Sequence, residues 1–180
     1  MSMHDDIAKI LFSEQQIDEI VGRLGEEISK DYKDKNLLLV GILKGSVVFM
    51  DDLMRKLTIP CNIEFMALSS YGSSTRSSGV VRVIKDLSID IRDYDVLVIE
   101  DILDSGNTLY QLKKMLEMRS PKSLKICTFF DKPERRTADI VADYVGSEIP
   151  DEFIVGYGLD FAEKYRNLPY VGVVKPELYK

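Results

Sequence analysis

The stretch DVLVIEDILDSGNTLYQLKKMLEMRSPKSLKICTFF, residues 95–130, decides the fold of this chain. It begins with a strand pattern at 95–101 that has an apolar centre, continues with a helical pattern at 109–118, and ends in a second strand pattern at 125–130. Two neighbouring parallel strands need a long crossover connection of this kind. The stretch therefore predicts a strand–helix–strand unit within a parallel sheet.

The flanking sequence continues this alternation of strands and helices. Ser13 and Gln16 have the spacing of a capping box, and the apolar residues that follow predict an amphipathic helix from Ser13 to about Lys30. We therefore expect an α/β fold, with a mainly parallel twisted sheet flanked by helices. The other predicted elements are strands at 37–43, 62–69 and 80–87, a helix at 47–57, and short strands around Val145, at 153–157 and at 170–174.

The length of 180 residues fits one domain, because domains contain roughly 100–200 residues. We therefore treat residues 1–180 as a single domain. The short strands after Asp131 predict a small lobe, formed by about 131–180 with part of the N-terminus. This lobe is expected to cover the carboxyl ends of the main sheet.

The composition excludes several functional classes. Apolar residues make up 45% and charged residues 30% of the chain, which is typical of a folded globular protein and not of a disordered one. The longest apolar run, 37–43, is far shorter than the roughly 20 residues that a membrane helix needs. The acidic N-terminus lacks the features of a signal peptide, so we expect a cytoplasmic protein without membrane contact. A net charge of −6 argues against nucleic acid as a partner.

The histidine and cysteine content limits the possible chemistry further. The single histidine, His4, cannot form a histidine-based triad or a histidine zinc site within one chain, and we expect it to lie in a solvated tail. Cys61 and Cys127 lie in apolar runs and are expected to be buried thiols of a reducing compartment. Acid–base chemistry must then come from carboxylates, lysines or the substrate.

The segment EDILDSGNT, residues 100–108, carries the strongest chemical signal. Small polar residues at a strand-to-helix turn allow backbone amides to approach a phosphate, and the helix dipole favours the anion. Glu100 and Asp101 would repel a phosphate but suit sugar hydroxyls, directly or through a metal, and extended geometry would direct them to opposite faces. Asp104, on the turn, is placed for proton transfer or for stabilising positive charge. Alternatively, Asp101 and Asp104 are only turn and cap residues.

This segment resembles the hallmark of the type I phosphoribosyltransferases, an apolar strand followed by two acids, two residues and Asp-(Ser/Thr)-Gly-x-Thr. The resemblance implies that Glu100 and Asp101 contact the ribose of phosphoribosyl pyrophosphate (PRPP) and that Asp104 is catalytic. It also implies Mg²⁺ as the cofactor, held by Glu100, Asp101 and Asp160. By the same resemblance, the loop that binds the 5′-phosphate consists of Asp104, Ser105, Gly106, Asn107 and Thr108.

Two further segments are similar to the 6-oxopurine branch of this family, the hypoxanthine-guanine phosphoribosyltransferases. LKGS, residues 43–46, is similar to the pyrophosphate loop, which implies that Lys44 and Gly45 bind pyrophosphate together with Arg166 and that the Leu43–Lys44 peptide can be cis. SSYGSSTRSSG, residues 69–79, is similar to the mobile lid, about 69–80. In that lid, Ser70 and Tyr71 would close over the reacting atoms.

The base pocket is implied by resemblance in DKPERR (131–136) and IPDEFIVGYGLDF (149–161). Lys132 would donate to the oxygen at purine C6, Phe153 would stack on the ring, and Ile154 and Asp160 would complete the purine site. From the residues alone, other interpretations stay open. Lys132 would be a solvated loop lysine, Phe153 a core residue and Arg166 part of a surface salt bridge.

The resemblance implies a purine salvage enzyme that transfers the phosphoribosyl group of PRPP to hypoxanthine or guanine. The products would be IMP or GMP and pyrophosphate, and the enzyme would be a homodimer or homotetramer. One alternative is a phosphoribosyltransferase for another base, above all xanthine. Another alternative is a regulator that retains the fold and senses PRPP.

Overall fold

Two sheets, one large and one small, organise the chain in the computed structural model, which describes residues 2–70 and 81–178. The strands are β1 (Ile7–Phe12), β2 (Leu37–Leu43), β3 (Asn62–Ser70), β4 (Val81–Lys85), β5 (Asp95–Leu103), β6 (Ser123–Asp131), β7 (Tyr144–Glu148), β8 (Ile154–Val155) and β9 (Val171–Val174). The helices are α1 (Glu14–Asp31), α2 (Val47–Lys56) and α3 (Asn107–Glu117).

The large sheet has the strand order β4-β3-β2-β5-β6-β7. Only β4, at one edge, is antiparallel to its neighbour; the other neighbouring pairs are parallel. The chain passes from β2 through α2 to β3 on one side, and from β5 through α3 to β6 on the other. Strand order therefore reverses between β2 and β5, and in open α/β sheets the crevice beyond the carboxyl ends at such a point is where ligands bind. The predicted fold class is confirmed.

Both faces of the large sheet are covered, which explains the unbroken apolar runs in its central strands. In β2, Leu37 and Leu39 pack into the core beneath α1 and α2, whereas Leu38 and Val40 pack into the core beneath α3. All four side chains are 0–1% exposed. Alternate residues of the run at 37–43 therefore face opposite sides of the sheet. Because both sides are buried, the sequence shows no alternation of apolar and polar residues.

The residues at the N-terminal ends of α1 and α3 determine where these helices begin. The Ser13 hydroxyl accepts a hydrogen bond from the Gln16 amide, and the Gln16 side chain accepts one from the Ser13 amide, so the predicted capping box is confirmed. Helix α3 begins at Asn107, two residues before the predicted start. The polar pair Asn107 and Thr108 looks like loop sequence but forms the first turn of the helix.

The small sheet has the order β1-β9-β8, is antiparallel throughout, and joins the N-terminal strand to the C-terminal part of the chain. The prediction that the small lobe begins near Asp131 is wrong. Strand β7 pairs in parallel with β6 and extends the large sheet, so the small sheet takes its C-terminal strands only from Ile154 onward. Val155, Leu168 and Val174 form its own small core.

His4 and the two cysteines occupy defined positions. The predicted solvated tail at His4 is wrong in one respect, because Met3–Asp6 form a short 3-10 helix and His4 Nδ1 lies 2.6 Å from the Tyr170 hydroxyl. Cys127 is buried as expected, but Cys61 is only half-buried and precedes β3; burial raises the pKa of both thiols.

None of the helices in the described part of the chain has the length and hydropathy that a membrane crossing requires.

Candidate active site

A cavity of about 350 Å³ lies beyond the carboxyl ends of β2 and β5, where strand order reverses. It brings together residues that are more than 100 positions apart in the sequence, from Gly45 to Arg166. The predicted site residues that line it are Gly45, Glu100, Asp101, Asp104, Ser105, Gly106, Thr108, Asp160 and Arg166.

The loop from Asp104 to Thr108 leads directly into α3. Gly106 precedes the helix with φ +81°, a left-handed conformation that favours glycine. A Cβ atom there would lie 2.5 Å from Ile140 Cγ2 and 2.9 Å from Arg136 Cδ, so the loop packs tightly on the segment behind it. No described side chain caps the helix, which leaves its first amides available to an anion.

Asn107, predicted to be part of the phosphate loop, does not line the cavity. Its side-chain amide donates to the Thr137 hydroxyl at 3.1 Å and lies 3.4 Å from the Ser105 hydroxyl. Asn107 therefore ties the loop to the segment after β6.

The expectation that Glu100 and Asp101 point to opposite faces is wrong, because both residues line the same cavity and their carboxyl groups interact electrostatically. Each also accepts from the next backbone amide: Glu100 from Asp101 at 3.2 Å and Asp101 from Ile102 at 2.7 Å. These local bonds turn both side chains along the strand. Space for Asp101 comes from Gly45, since a Cβ atom on that glycine would lie 1.6 Å from Asp101 Oδ2.

The electrostatics of this carboxyl pair favour a bound cation. Burial raises the pKa of Glu100 well above its usual value, and the Asp101 charge raises it further. Burial also raises the pKa of Asp101, with Arg166 acting in the opposite sense. A divalent cation would relieve this repulsion, and carboxylate oxygens are the hard ligands that Mg²⁺ prefers.

Asp160, the third predicted metal ligand, faces a cation of the protein itself. Its Oδ1 lies 2.9 Å from Arg166 Nη2 and its Oδ2 accepts from the Glu163 amide at 2.8 Å. Within the described part of the chain, no three carboxylate, histidine or cysteine side chains are grouped so as to hold a metal. Glu100 and Asp101 therefore fit Mg²⁺ only if substrate oxygens complete its coordination.

The predicted pyrophosphate residues are engaged with Glu163, which sequence reasoning missed. Lys44 Nζ lies 3.0 Å from Glu163 Oε2, and the Leu43–Lys44 peptide before it is cis. Arg166 Nη2 lies 3.5 Å from Glu163 Oε1, and Arg166 Nη1 donates to the Gly158 carbonyl. The buried Arg166 Nε has no hydrogen-bond partner among the described residues. The salt-bridge interpretation of Arg166 thus holds, and the same side chain lines the cavity.

Of the predicted base residues, Asp160 lines the cavity, whereas Lys132, Phe153 and Ile154 do not. Lys132 is 6% exposed, and its Nζ donates to the Glu152 carbonyl at 2.7 Å, so the solvated-lysine interpretation is wrong. The Phe153 ring is 40% exposed and packs edge-on against Phe161 at 5.5 Å, which contradicts the core interpretation. The Ile154 side chain belongs to the core.

Two arginines of the DKPERR segment were not predicted as site residues. Arg135 Nε lies 3.0 Å from Asp104 Oδ1, and Arg135 Nη1 lies 3.1 Å from Asp151 Oδ1. Arg136 packs behind the phosphate loop. Their position immediately after Lys132 was the only available signal.

The predicted lid is mostly outside the described residues. Strand β3 ends at Ser70, whereas Tyr71 and the rest of the lid up to residue 80 fall in the part that the structure does not describe. The role of Ser70 and Tyr71 stays a prediction.

Comparison with known proteins agrees with this geometry. Residues 8–162 match the model of the phosphoribosyl transferase domain. A hypoxanthine-guanine phosphoribosyltransferase of Staphylococcus aureus is 52% identical over 98% of this chain and 99% of its own length. A crystal structure of a hypoxanthine phosphoribosyltransferase from S. aureus has a TM-score of 0.97 at 52% identity, covering 99% of this chain and 97% of that one.

A bifunctional TilS/HprT protein of Listeria monocytogenes is 51% identical over 99% of this chain, but the chain spans only 28% of that protein's length. The similarity therefore extends across this whole chain and concerns only one part of the longer relative. The chain belongs to the phosphoribosyltransferase family, in its hypoxanthine-guanine branch.

Proposed function

We propose that this chain transfers the 5-phosphoribosyl group of PRPP to hypoxanthine or guanine, giving IMP or GMP and pyrophosphate. The observation that carries this proposal is the single cavity at the switch point of the sheet. It unites a strand-to-helix phosphate loop, a carboxyl pair suited to ribose hydroxyls, and Arg166, whose buried Nε has no hydrogen-bond partner in the described part of the chain. The S. aureus relatives with this enzyme name support it.

In the proposed reaction, the bond between ribose C1 and pyrophosphate oxygen breaks while a bond from C1 to purine nitrogen forms. The amides and hydroxyls at residues 104–108 hold the 5′-phosphate at the N-terminus of α3. Glu100 and Asp101 contact the ribose hydroxyls. Placement and electrostatic stabilisation of the sugar cation account for most of the catalysis.

Lys44, Gly45 and Arg166 hold the leaving pyrophosphate. To do so, Lys44 and Arg166 exchange carboxylates for phosphate oxygens, because Lys44 is paired with Glu163, and Arg166 with Asp160 and Glu163, in this structure. Asp104 accepts the purine N7 proton or stabilises the positive sugar, and both roles need its carboxylate near the reacting atoms.

Mg²⁺ is proposed as the cofactor, and it would supply positive charge against the departing pyrophosphate. Glu100, Asp101 and Asp160 are the side chains that would hold it. Asp160 would first have to release Arg166, with which it pairs at 2.9 Å.

The choice of base is proposed to depend on Lys132. A lysine ammonium has three donors and no acceptor, and one donor is used on the Glu152 carbonyl. The others can donate to the oxygen at purine C6 but cannot accept from the amino group of adenine. Phe153 provides an exposed ring for stacking, and the backbone of Ile154 and the carboxylate of Asp160 complete the purine site.

The lid is proposed to exclude water, since water attack on the activated sugar would waste PRPP. Ser70 and Tyr71 would close over the reacting centre.

We also propose a homodimer or homotetramer, as the family resemblance implies, and a cytoplasmic location, supported by the two free cysteines. Sedimentation equilibrium would then give a multiple of the 20.5 kDa chain mass.

The test is an assay of the purified chain with PRPP, Mg²⁺ and one nucleobase at a time. We expect nucleotide and pyrophosphate from hypoxanthine and guanine, and none from adenine or uracil. Product from xanthine alone would support the xanthine enzyme instead. PRPP binding without product from any base would favour the sensor and refute the proposal.

A further inference from the structure

Arg136 lies directly behind the phosphate loop and does not line the cavity. Its side chain is 14% exposed and its guanidinium donates to three backbone carbonyls. Nε donates to Asp104 O at 3.0 Å, Nη2 to Leu103 O at 3.2 Å, and Nη1 to Ile140 O at 2.7 Å. Asp131, at the end of β6, forms an ion pair with it and balances its charge.

The residues after Arg136 hold the next carbonyl of the loop. Ser105 O accepts from the Thr137 amide at 3.0 Å and from the Ala138 amide at 3.1 Å, and the Thr137 hydroxyl lies 3.3 Å from the same oxygen. The carbonyls of Leu103, Asp104 and Ser105 therefore all accept from segment 136–138, and Leu103 O also accepts from the Lys132 amide at 3.0 Å.

The directions of these carbonyls determine the directions of the amide N–H groups that follow them. In a planar trans peptide, the carbonyl of one residue and the N–H of the next point in opposite directions. Carbonyls directed back towards segment 136–138 thus turn the N–H groups of Asp104, Ser105 and Gly106 towards the cavity that these residues line. An anion at the N-terminus of α3 meets those N–H groups.

We infer that Arg136 is a positioning residue, which orients the amides of the 104–106 loop towards the 5′-phosphate without touching substrate. The inference rests on the proposed function, since it assigns the ligand of this loop as a sugar phosphate. Arginine suits the task because its rigid planar fork carries donors on three separate nitrogens, whereas the donors of a lysine all sit on one atom.

The test compares Arg136→Gln with a matched control, Arg23→Gln. Arg23 also donates to two backbone carbonyls, Val145 O at 3.1 Å and Gly146 O at 2.6 Å, but it lies on α1 away from the cavity. Calorimetric titration with ribose 5-phosphate probes the loop, and titration with inorganic pyrophosphate probes the Lys44–Arg166 side.

We expect Arg136→Gln to weaken ribose 5-phosphate binding about tenfold or more, because misdirected amides no longer match the phosphate. Pyrophosphate affinity should stay within about twofold of wild type, and Arg23→Gln should change neither affinity. In steady state, Arg136→Gln should raise KM for PRPP more than it lowers kcat. Thr137→Val removes the hydroxyl contacts to Ser105 O and to the Asn107 side chain, which hold the same loop. It should show the same ligand selectivity with a smaller loss, and it serves if Arg136→Gln fails to fold.

The inference would be overturned if Arg136→Gln bound ribose 5-phosphate as tightly as wild type, or if it lost affinity equally for ribose 5-phosphate and pyrophosphate. Neither result would refute the proposed function. Failure of the folded wild type to bind ribose 5-phosphate would refute the proposed function and the inference with it.

Discussion

Asp104 is the residue on which the proposed chemistry depends most. Asp104→Asn keeps the size of the side chain and the loop backbone but removes the negative charge. We expect kcat to fall by about 10²–10⁴-fold, the usual contribution of a positioned acid or base, while KM for PRPP changes only a few-fold. Steady-state kinetics with hypoxanthine would measure both.

Arg135→Gln is the control for Asp104→Asn, because it removes the ion pair between Arg135 Nε and Asp104 Oδ1, 3.0 Å, and leaves the Asp104 carboxylate in place. If disrupting the Arg135 ion pair were sufficient, both variants would lose kcat equally. Unchanged kcat in Asp104→Asn would remove Asp104 from the chemistry.

Lys132 is expected to determine the preference for 6-oxopurines. In Lys132→Gln, the side-chain amide can accept as well as donate, so the 6-amino group of adenine is no longer rejected. The ratio of kcat/KM for hypoxanthine over adenine should fall by about tenfold or more. Retention of the wild-type ratio would show that selectivity comes from elsewhere in the pocket.

Glu100 should destabilise the fold as pH rises. Its folded-state pKa is raised by burial and by Asp101, so the folded protein holds a proton that the unfolded chain releases above the ordinary range of about 4.3. The free energy of unfolding therefore decreases with pH from that value up to the raised pKa, and Glu100→Gln lacks this decrease.

Urea unfolding at pH 5 and pH 8 tests the Glu100 prediction. The free energy of unfolding of Glu100→Gln relative to wild type should increase from pH 5 to pH 8, while the Mg²⁺-dependent affinity of the variant for PRPP falls. If the difference in unfolding free energy between Glu100→Gln and wild type did not change with pH, the raised pKa of Glu100 would be contradicted.

At the scale of elements, the sequence predicted those strands and helices that are determined by a pattern within one segment. β2, β5 and α1 were predicted because long apolar runs and a capping box act within one segment. β1 was not predicted, since its burial pattern lacks alternation and its partner β9 lies at the other end of the chain. The Lys44–Glu163 ion pair joins residues 119 positions apart, and no local pattern indicates it.

The close approach of the β2 loop to the β5 carboxyl pair gives a prediction for Gly45. In Gly45→Ala, the new Cβ would lie 1.6 Å from Asp101 Oδ2, so Asp101 must move. We expect KM for PRPP to rise about tenfold or more, because displacement of site groups by an ångström is costly.

Gly22→Ala is the matched control for Gly45→Ala. A Cβ atom at Gly22, on α1, would meet nothing within 4 Å, so this variant should keep full activity and gain about 0.5–1 kcal/mol in stability from helix propensity. Equal kinetics in the two variants would contradict the proposed role of the Gly45–Asp101 contact.

At the scale of the whole molecule, the strand order explains why the site could be located before its geometry was known. Parallel strands with the predicted crossovers meet at one edge, and the acidic and small-residue loops follow two neighbouring strands there. The relative directions of side chains could not be predicted in the same way. Glu100 and Asp101 lie in one cavity because Gly45, from another segment, leaves space for Asp101. Asn107 lies outside the cavity because its side chain donates to Thr137.

The net charge of −6 would repel an anionic substrate, so the ion pairs within the site determine how such a substrate can bind. Lys44 and Arg166, the cations proposed for pyrophosphate, are neutralised by Glu163 and Asp160 in this structure. Binding an anionic substrate therefore requires an exchange of ion pairs within the site, and does not depend on attraction by the molecule as a whole.

A crystal structure of the protein with PRPP and Mg²⁺ tests the central claim most directly. The account predicts the 5′-phosphate on the amides of residues 104–108, the ribose beside Glu100 and Asp101, and the pyrophosphate group near Gly45 with Lys44 released from Glu163. PRPP bound away from the β2–β5 switch point, with the 104–108 loop empty, would contradict it.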